Sequence, residues 1–288
     1  MLEQYIRNYF LDLGLKNQYV DELSPQDDGS YMLLFDTRIV CSIEEQHKDE
    51  ITEFVFSVVL TAGEMDRSEL LEKYDYFSSR LNLTAFSGRA CLFMLPEEHQ
   101  IALMHRINCD GLEHQEFNRI LNLLARTIIF VEGSGETALS YDDSTIKESS
   151  EKFHSLLGAM NISVEDLRHN FNRLDLKDGF GCLLEFHPAA AVLKLINVLE
   201  SPLNEENILN LLSFNSSQKF GLQFNYLDGS LFIEQSVDLK NTDPEHFGLA
   251  LERQRKLIEE FNKGFSAVPE HVEQVSYDIT EMLSNLPV

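Results

Sequence analysis

The chain is 288 residues long, with 23 basic and 48 acidic residues and a formal charge of −25 at neutral pH. That length suits two domains, and 43% apolar with 25% charged residues is globular composition rather than disorder. So acidic a surface repels phosphate backbones and anionic lipid, which argues against nucleic-acid and membrane-surface roles.

The first segment, Leu2 to Leu15, carries Leu2, Tyr5, Ile6, Tyr9, Phe10 and Leu13 at helical spacing, with Gly14 suited to its end. Its Glu3 and Asp12, with no basic lead before an apolar block, do not fit a signal peptide. A polar turn at Ser24–Gly29 precedes three strand-like runs, Tyr31–Asp36, Ile39–Glu44 and Glu53–Thr61. Asp66 or Ser68 then caps a helix to Leu81, with Leu70, Leu71, Tyr74, Phe77 and Leu81 on one face. Two more strands, Arg89–Leu95 and Gln100–Ile107, lead to a helix from Glu113 to Val131. The order is α-β-β-β-α-β-β-α.

Residues 132–150 are small and polar and read as a linker. The second half then repeats the order: a helix at Glu151–Asn161, strands near Arg173–Leu176, at Phe180–Phe186 and at Ala191–Leu199, and a shorter middle helix at Leu203–Phe214. A hairpin around Asp228-Gly229 and a closing helix from Pro244 to Phe265 complete it. Identities between the halves are sparse, but apolar positions stay in phase: Cys41 with Cys182, Leu103 with Ile233, Phe117 with Phe247. A tandem duplication accounts for this; two α+β domains sharing an element order by chance is the other possibility. The expected division is 1–131, linker 132–150, 151–265, and a C-terminal extension 266–288 holding a short extra helix. No stretch of about 18 uncharged apolar residues exists to cross a membrane, and a cytoplasmic location is the default expectation.

Motifs for chemistry are missing. The nine histidines lack HxxxH or HExxH spacing, and the four cysteines form no CxxC pair, so neither metal nor cofactor is expected. Gly133-Ser134-Gly135 lacks the GxGxxG spacing and is flanked by Glu132 and Glu136. No serine sits in a GxSxG elbow, and the paired carboxylates lie in charged turns rather than apolar pockets, so no catalytic residue is expected. What stands out is apolar strand surface: residues 54–60 and 90–95 are apolar at both parities. Their second face belongs either to a domain–domain interface or to a protein-binding surface.

The last strand pair and closing helix of each half, Arg89–Phe130 and Phe220–Phe261, share an apolar strand, an acidic turn, a second apolar strand and a helix opening near a Phe. In this the chain resembles the class I type III secretion chaperones, the Tir-chaperone (CesT) family. The resemblance implies an α+β fold in which each domain packs an antiparallel sheet against helices. It also implies binding of the extended N-terminal region of a secreted effector, kept competent for export without catalysis. Family members are homodimers of one such domain. Two domains in one chain imply an intramolecular pseudo-dimer and a monomeric protein. Effector in the family packs beside the first helix and the sheet, which points to Ile6, Phe10 and Leu13 and their repeats Phe153, Leu157 and Met160. The alternative is a regulatory or adaptor module on the same fold, with a folded protein or a small molecule as partner.

Overall fold

A computed structural model describes residues 1–14, 24–35, 39–48, 51–61, 63, 65–95, 99–133, 143–160, 171–175, 180–199, 203–217 and 222–267. The first half runs α1 (Leu2–Asp12), β1 (Tyr31–Phe35), β2 (Ile39–Lys48), β3 (Ile51–Val59), α2 (Arg67–Leu81), β4 (Ala90–Leu95), β5 (Gln100–Asn108) and α3 (His114–Val131). The second runs α4 (Asp143–Ala159), β6 (Phe171–Asp175), β7 (Gly181–His187), β8 (Val192–Val198), α5 (Glu205–Ser213), β9 (Leu222–Leu227), β10 (Ser230–Asp238) and α6 (Pro244–Ala267). Each half forms an antiparallel five-stranded sheet of the same topology, β1-β2-β3-β5-β4 and β6-β7-β8-β10-β9.

Local chemistry explains the boundaries. Asp66 accepts the Glu69 amide at 2.9 Å while Glu69 reaches back to the Asp66 amide at 3.3 Å, a reciprocal cap that starts α2. Asn204 caps α5 through the Asn207 amide at 2.8 Å. The β9–β10 turn holds Asp228 and Gly229 at φ +50° and +74°, the left-handed pair that a two-residue hairpin requires. Two expected boundaries shift. α4 begins at Asp143, inside the stretch read as linker, because its first turns are polar and the apolar stripe starts only at Phe153. The strand expected near Arg173–Leu176 is Phe171–Asp175. The extra helix expected after residue 266 lies outside the described residues beyond Ala267, as does linker 134–142.

One face of each sheet is covered by helices. In the first half Ile6 of α1 and Phe117, Leu121 and Ile128 of α3 close over Phe54, Phe56 and Leu103. In the second, Phe153 and Leu157 of α4 with Phe247 and Leu251 of α6 close over Cys182, Leu184, Leu193 and Leu195. Cys41 and Cys182 occupy matching registers, opposite Leu33 and Leu174, and both are buried and unbridged.

The two halves meet along β4 and β9, each the edge of its sheet. α2 packs on β9 and α5 on β4, so each middle helix reaches across to the other half. Leu211 and Leu212 of α5, with Leu222 and Phe224 of β9, join the apolar core of the first half. Between the edges sits Asn215, which is buried. Its amide nitrogen donates to Leu92 O and Phe224 O, both at 2.7 Å, and its oxygen accepts the Phe224 amide at 2.8 Å. The Tyr74 hydroxyl reaches the same two carbonyls, at 3.0 and 3.4 Å. Two sheet edges that would otherwise present open backbone are thus joined through side chains.

Candidate protein-binding surface

With β4 and β9 turned toward each other, the outer edges are β1 and β6. Side chains alternate across a sheet, so the residues that do not face the helices line the opposite, outer face. On the first sheet the register aligns Leu34, Val40, Val59, Ala102 and Phe93 in one row across all five strands. The next row is Met32, Ser42, Ser57, Met104 and Cys91. Toward β4 these rows are buried as Cys91, Phe93, Ala102 and Met104, which cluster with Val55 of the next row. There Cys91 lies against the second half, its Sγ 3.6 Å from Asn215 O. Toward β1 the apolar surface opens: Leu34 is 62% exposed, Val59 49%, Met32 48% and Val40 44%.

An apolar row running from a buried interface out to β1, the outermost strand among the described residues, offers two kinds of contact to an extended chain. The edge supplies backbone donors and acceptors at alternate residues of β1, and the row supplies apolar contact to alternate side chains. Beyond the second row lies a polar border, where Arg106 bonds Gln46 at 2.9 Å and pairs with Glu53 at 3.6 Å. The second sheet differs. Its corresponding row reads Asp175, Gly181, Val198, Phe232 and Asn225, with only Val198 a largely exposed aliphatic among the described side chains. The surfaces presented by the two halves are therefore unlike.

The six residues indicated by the family resemblance are dispersed by the structure. Ile6, Phe153 and Leu157 are buried in their own cores and present no surface. Phe10 and Met160 are half-buried against those cores. Leu13 is 57% exposed at the C-terminal end of α1. Sequence reading missed Met32, Leu34 and Val40, although the unbroken apolar run Tyr31–Phe35 carried the same signal as residues 54–60. Of the two-faced strands, Cys91 lies against the other half, as the interface reading expects, and Val59 is exposed.

Burial pushes the Cys41 and Cys91 thiols up to about 12, far from the thiolate state a nucleophile needs. Among the described residues no group of three histidine, cysteine or acidic side chains is arranged to hold a metal, and no helix is long and apolar enough to cross a membrane. A groove of about 340 Å³ is open and lined by Met65, Glu69, Glu72, Lys73 and Tyr76. A cleft of about 100 Å³ lies at the seam between Arg67, Leu70, Met94, His99, Glu206 and Leu209. Its volume falls below the roughly 300 Å³ at which small-molecule sites begin.

One buried titratable group shapes acid stability. His105, on the core side of β5, donates from Nδ1 to Arg89 O at 3.0 Å and packs on the Phe86 ring at 4.7 Å. Burial, with a smaller contribution from the Arg89 charge, lowers its pKa to about 4. The unfolded chain takes up a proton near the ordinary value of about 6.5, which the folded chain refuses until about 4. Stability should therefore fall as pH drops from 6.5 toward 4, by on the order of 3 kcal/mol. Between pH 6.5 and 5, above the range where carboxylates titrate, urea unfolding of a His105→Gln chain should show a flatter pH profile than the parent. An unchanged slope would remove His105 as the cause.

No protein-family model, no curated protein and no solved structure matches the chain.

Proposed function

We propose that the protein is a non-catalytic binding module of the type III secretion chaperone kind, holding an extended segment of a secreted effector. The observation that carries this reading is the exposed apolar row Leu34–Val40–Val59 beside β1, the outer edge of the first sheet among the described residues. An added strand takes backbone hydrogen bonds from the edge while its alternate side chains lie on the row. The repeated α-β-β-β-α-β-β-α order and the resemblance to the CesT family support the same reading. The formal charge of −25 favours a segment with basic residues and keeps the complex soluble; nucleic acid and membrane are not partners in this reading. The cytoplasm is where such a module meets an effector before export.

In this reading the two halves form an intramolecular pseudo-dimer. Tyr74 and Asn215 hold corresponding places after α2 and α5 residues Leu70-Leu71 and Leu211-Leu212, touch each other at 3.2 Å, and share two carbonyls. A two-fold interface needs one self-complementary patch, and a covalent pair of similar domains meets that need within one chain. Light scattering at micromolar concentration should give one species at 33.1 kDa. A stable species of twice that mass would contradict the closed single-chain arrangement.

The function is tested by co-purification with proteins encoded beside this one, followed by protease mapping of the captured protein. A protected, extended N-terminal segment supports the chaperone reading. A folded partner alone, or none from any neighbour, overturns it in favour of a regulatory or adaptor module.

A further inference from the structure

At the seam α2 lies over the outer face of the second sheet, and that face is charged where its counterpart in the first sheet is apolar. Lys194 of β8 is 1% exposed. Its ammonium donates to Asn82 Oδ1 at 2.8 Å and stands 3.4 Å from Glu234 and 3.9 Å from Glu185. The buried charge is thus paired with two carboxylates of its own half and hydrogen-bonded to the other half of the chain. Ser78, in the last turn of α2, donates to Asn225 Oδ1 at 2.6 Å, and Asn225 passes the chain on to Glu234 at 3.0 Å. By register the places of Lys194 and Glu234 are held in the first sheet by Val55 and Met104, both buried and apolar.

We propose that this polar cluster makes the seam a heterotypic joint, so that a second half closes only on a first half and neither half closes on its own kind. α2 has 15 residues, whereas α5 has 9 and passes into a single 3-10 turn at Phe214–Ser217, so among the described residues α5 has no counterpart of the last turn and cap from which Ser78 and Asn82 reach across. Two second halves together would leave the Lys194 ammonium without Asn82 and Asn225 without Ser78. Two first halves would set Ser78 and Asn82 against Val55 and Met104. Either like pair buries polar groups without partners, and the mismatch costs more than a surface contact returns. The cluster thereby selects the partner rather than adding stability over an apolar seam. This holds independently of what the outer surface binds.

The test uses the whole chain, carrying a protease site between Gly133 and Asp143 and cleaved after folding. Cleaved protein is mixed with a mass-labelled copy in urea near its unfolding midpoint and diluted, and native mass spectrometry counts the pairs. Unlike pairs should exceed like pairs by at least about tenfold. Like pairs at the roughly one-half share of random association would overturn the proposal. Cleaved Lys194→Met, Asn225→Leu, Glu234→Leu protein should show second halves pairing with each other, and unchanged selectivity there would also overturn it. If cleaved halves do not exchange, a double-mutant cycle of Asn82→Ala and Lys194→Met in the intact chain decides. Coupling on the order of tenfold in the unfolding equilibrium supports the joint, and additive effects refute it.

Discussion

Replacing Asn215 by Asp should destabilise the protein by about 4 kcal/mol, although the two side chains are nearly the same size. The Asn215 nitrogen donates at 2.7 Å to one carbonyl from each sheet, Leu92 O and Phe224 O, inside a buried seam. An ionised aspartate places an oxygen there that cannot donate, so two buried carbonyls meet a buried negative charge. Its other oxygen keeps the bond from the Phe224 amide. The Tyr74 hydroxyl reaches both carbonyls, but one hydroxyl has one proton and cannot replace two donors. Asn215→Ala should cost less than Asn215→Asp, because it removes the donors without adding a charge. Urea unfolding of both variants reads the order, and equal costs would show that the amide is not what joins the edges.

Phe117→Ala should also cost about 4 kcal/mol, within the range for truncating a fully buried aromatic ring. The ring is 0% exposed and stands with its centroid 5.1 Å from Tyr5, 5.7 Å from Phe54 and 5.9 Å from Phe56. It ties α1 and β3 to the helix that carries it, so the cavity opens where three elements meet. The seam core lies in the same cluster, and loss at Phe117 should lower the stability of the whole chain in a single transition. A second transition, with the half that carries Phe247 unfolding separately, would show that the halves are not one cooperative unit.

The periodicities read from the sequence place most elements, because amphipathic helices and alternating strands report their own buried faces. Residues 54–60 and 90–95, apolar at both parities, also report that the first sheet is covered or approached from two sides. The seam is a different matter. Asn215 and Tyr74 meet across 141 positions, and Lys194 and Asn82 across 112. Neither pair leaves a periodic trace, and a lysine in an otherwise apolar strand reads as a solvent-facing position. The start of α4 escaped for the opposite reason: residues 143–150 are polar and helical, with no apolar stripe to announce them. At the binding surface, helix stripes drew attention to Ile6, Phe153 and Leu157, which the cores consume. The exposed row was assembled by register, as Leu34 lies beside Val40 and Val40 beside Val59 only once three strands are paired.

Amide hydrogen exchange on the complex recovered by co-purification tests the central claim most directly. If an extended segment adds to the outer edge of the first sheet, the amides of Tyr31–Phe35 gain protection on binding, while those of β4 and β9, already enclosed at the seam, do not change. A Leu34→Glu, Val59→Glu chain, altered only at exposed positions, should keep its stability and lose the complex. Protection that falls on α1 or β6 while β1 exchanges as in the free protein would contradict the account.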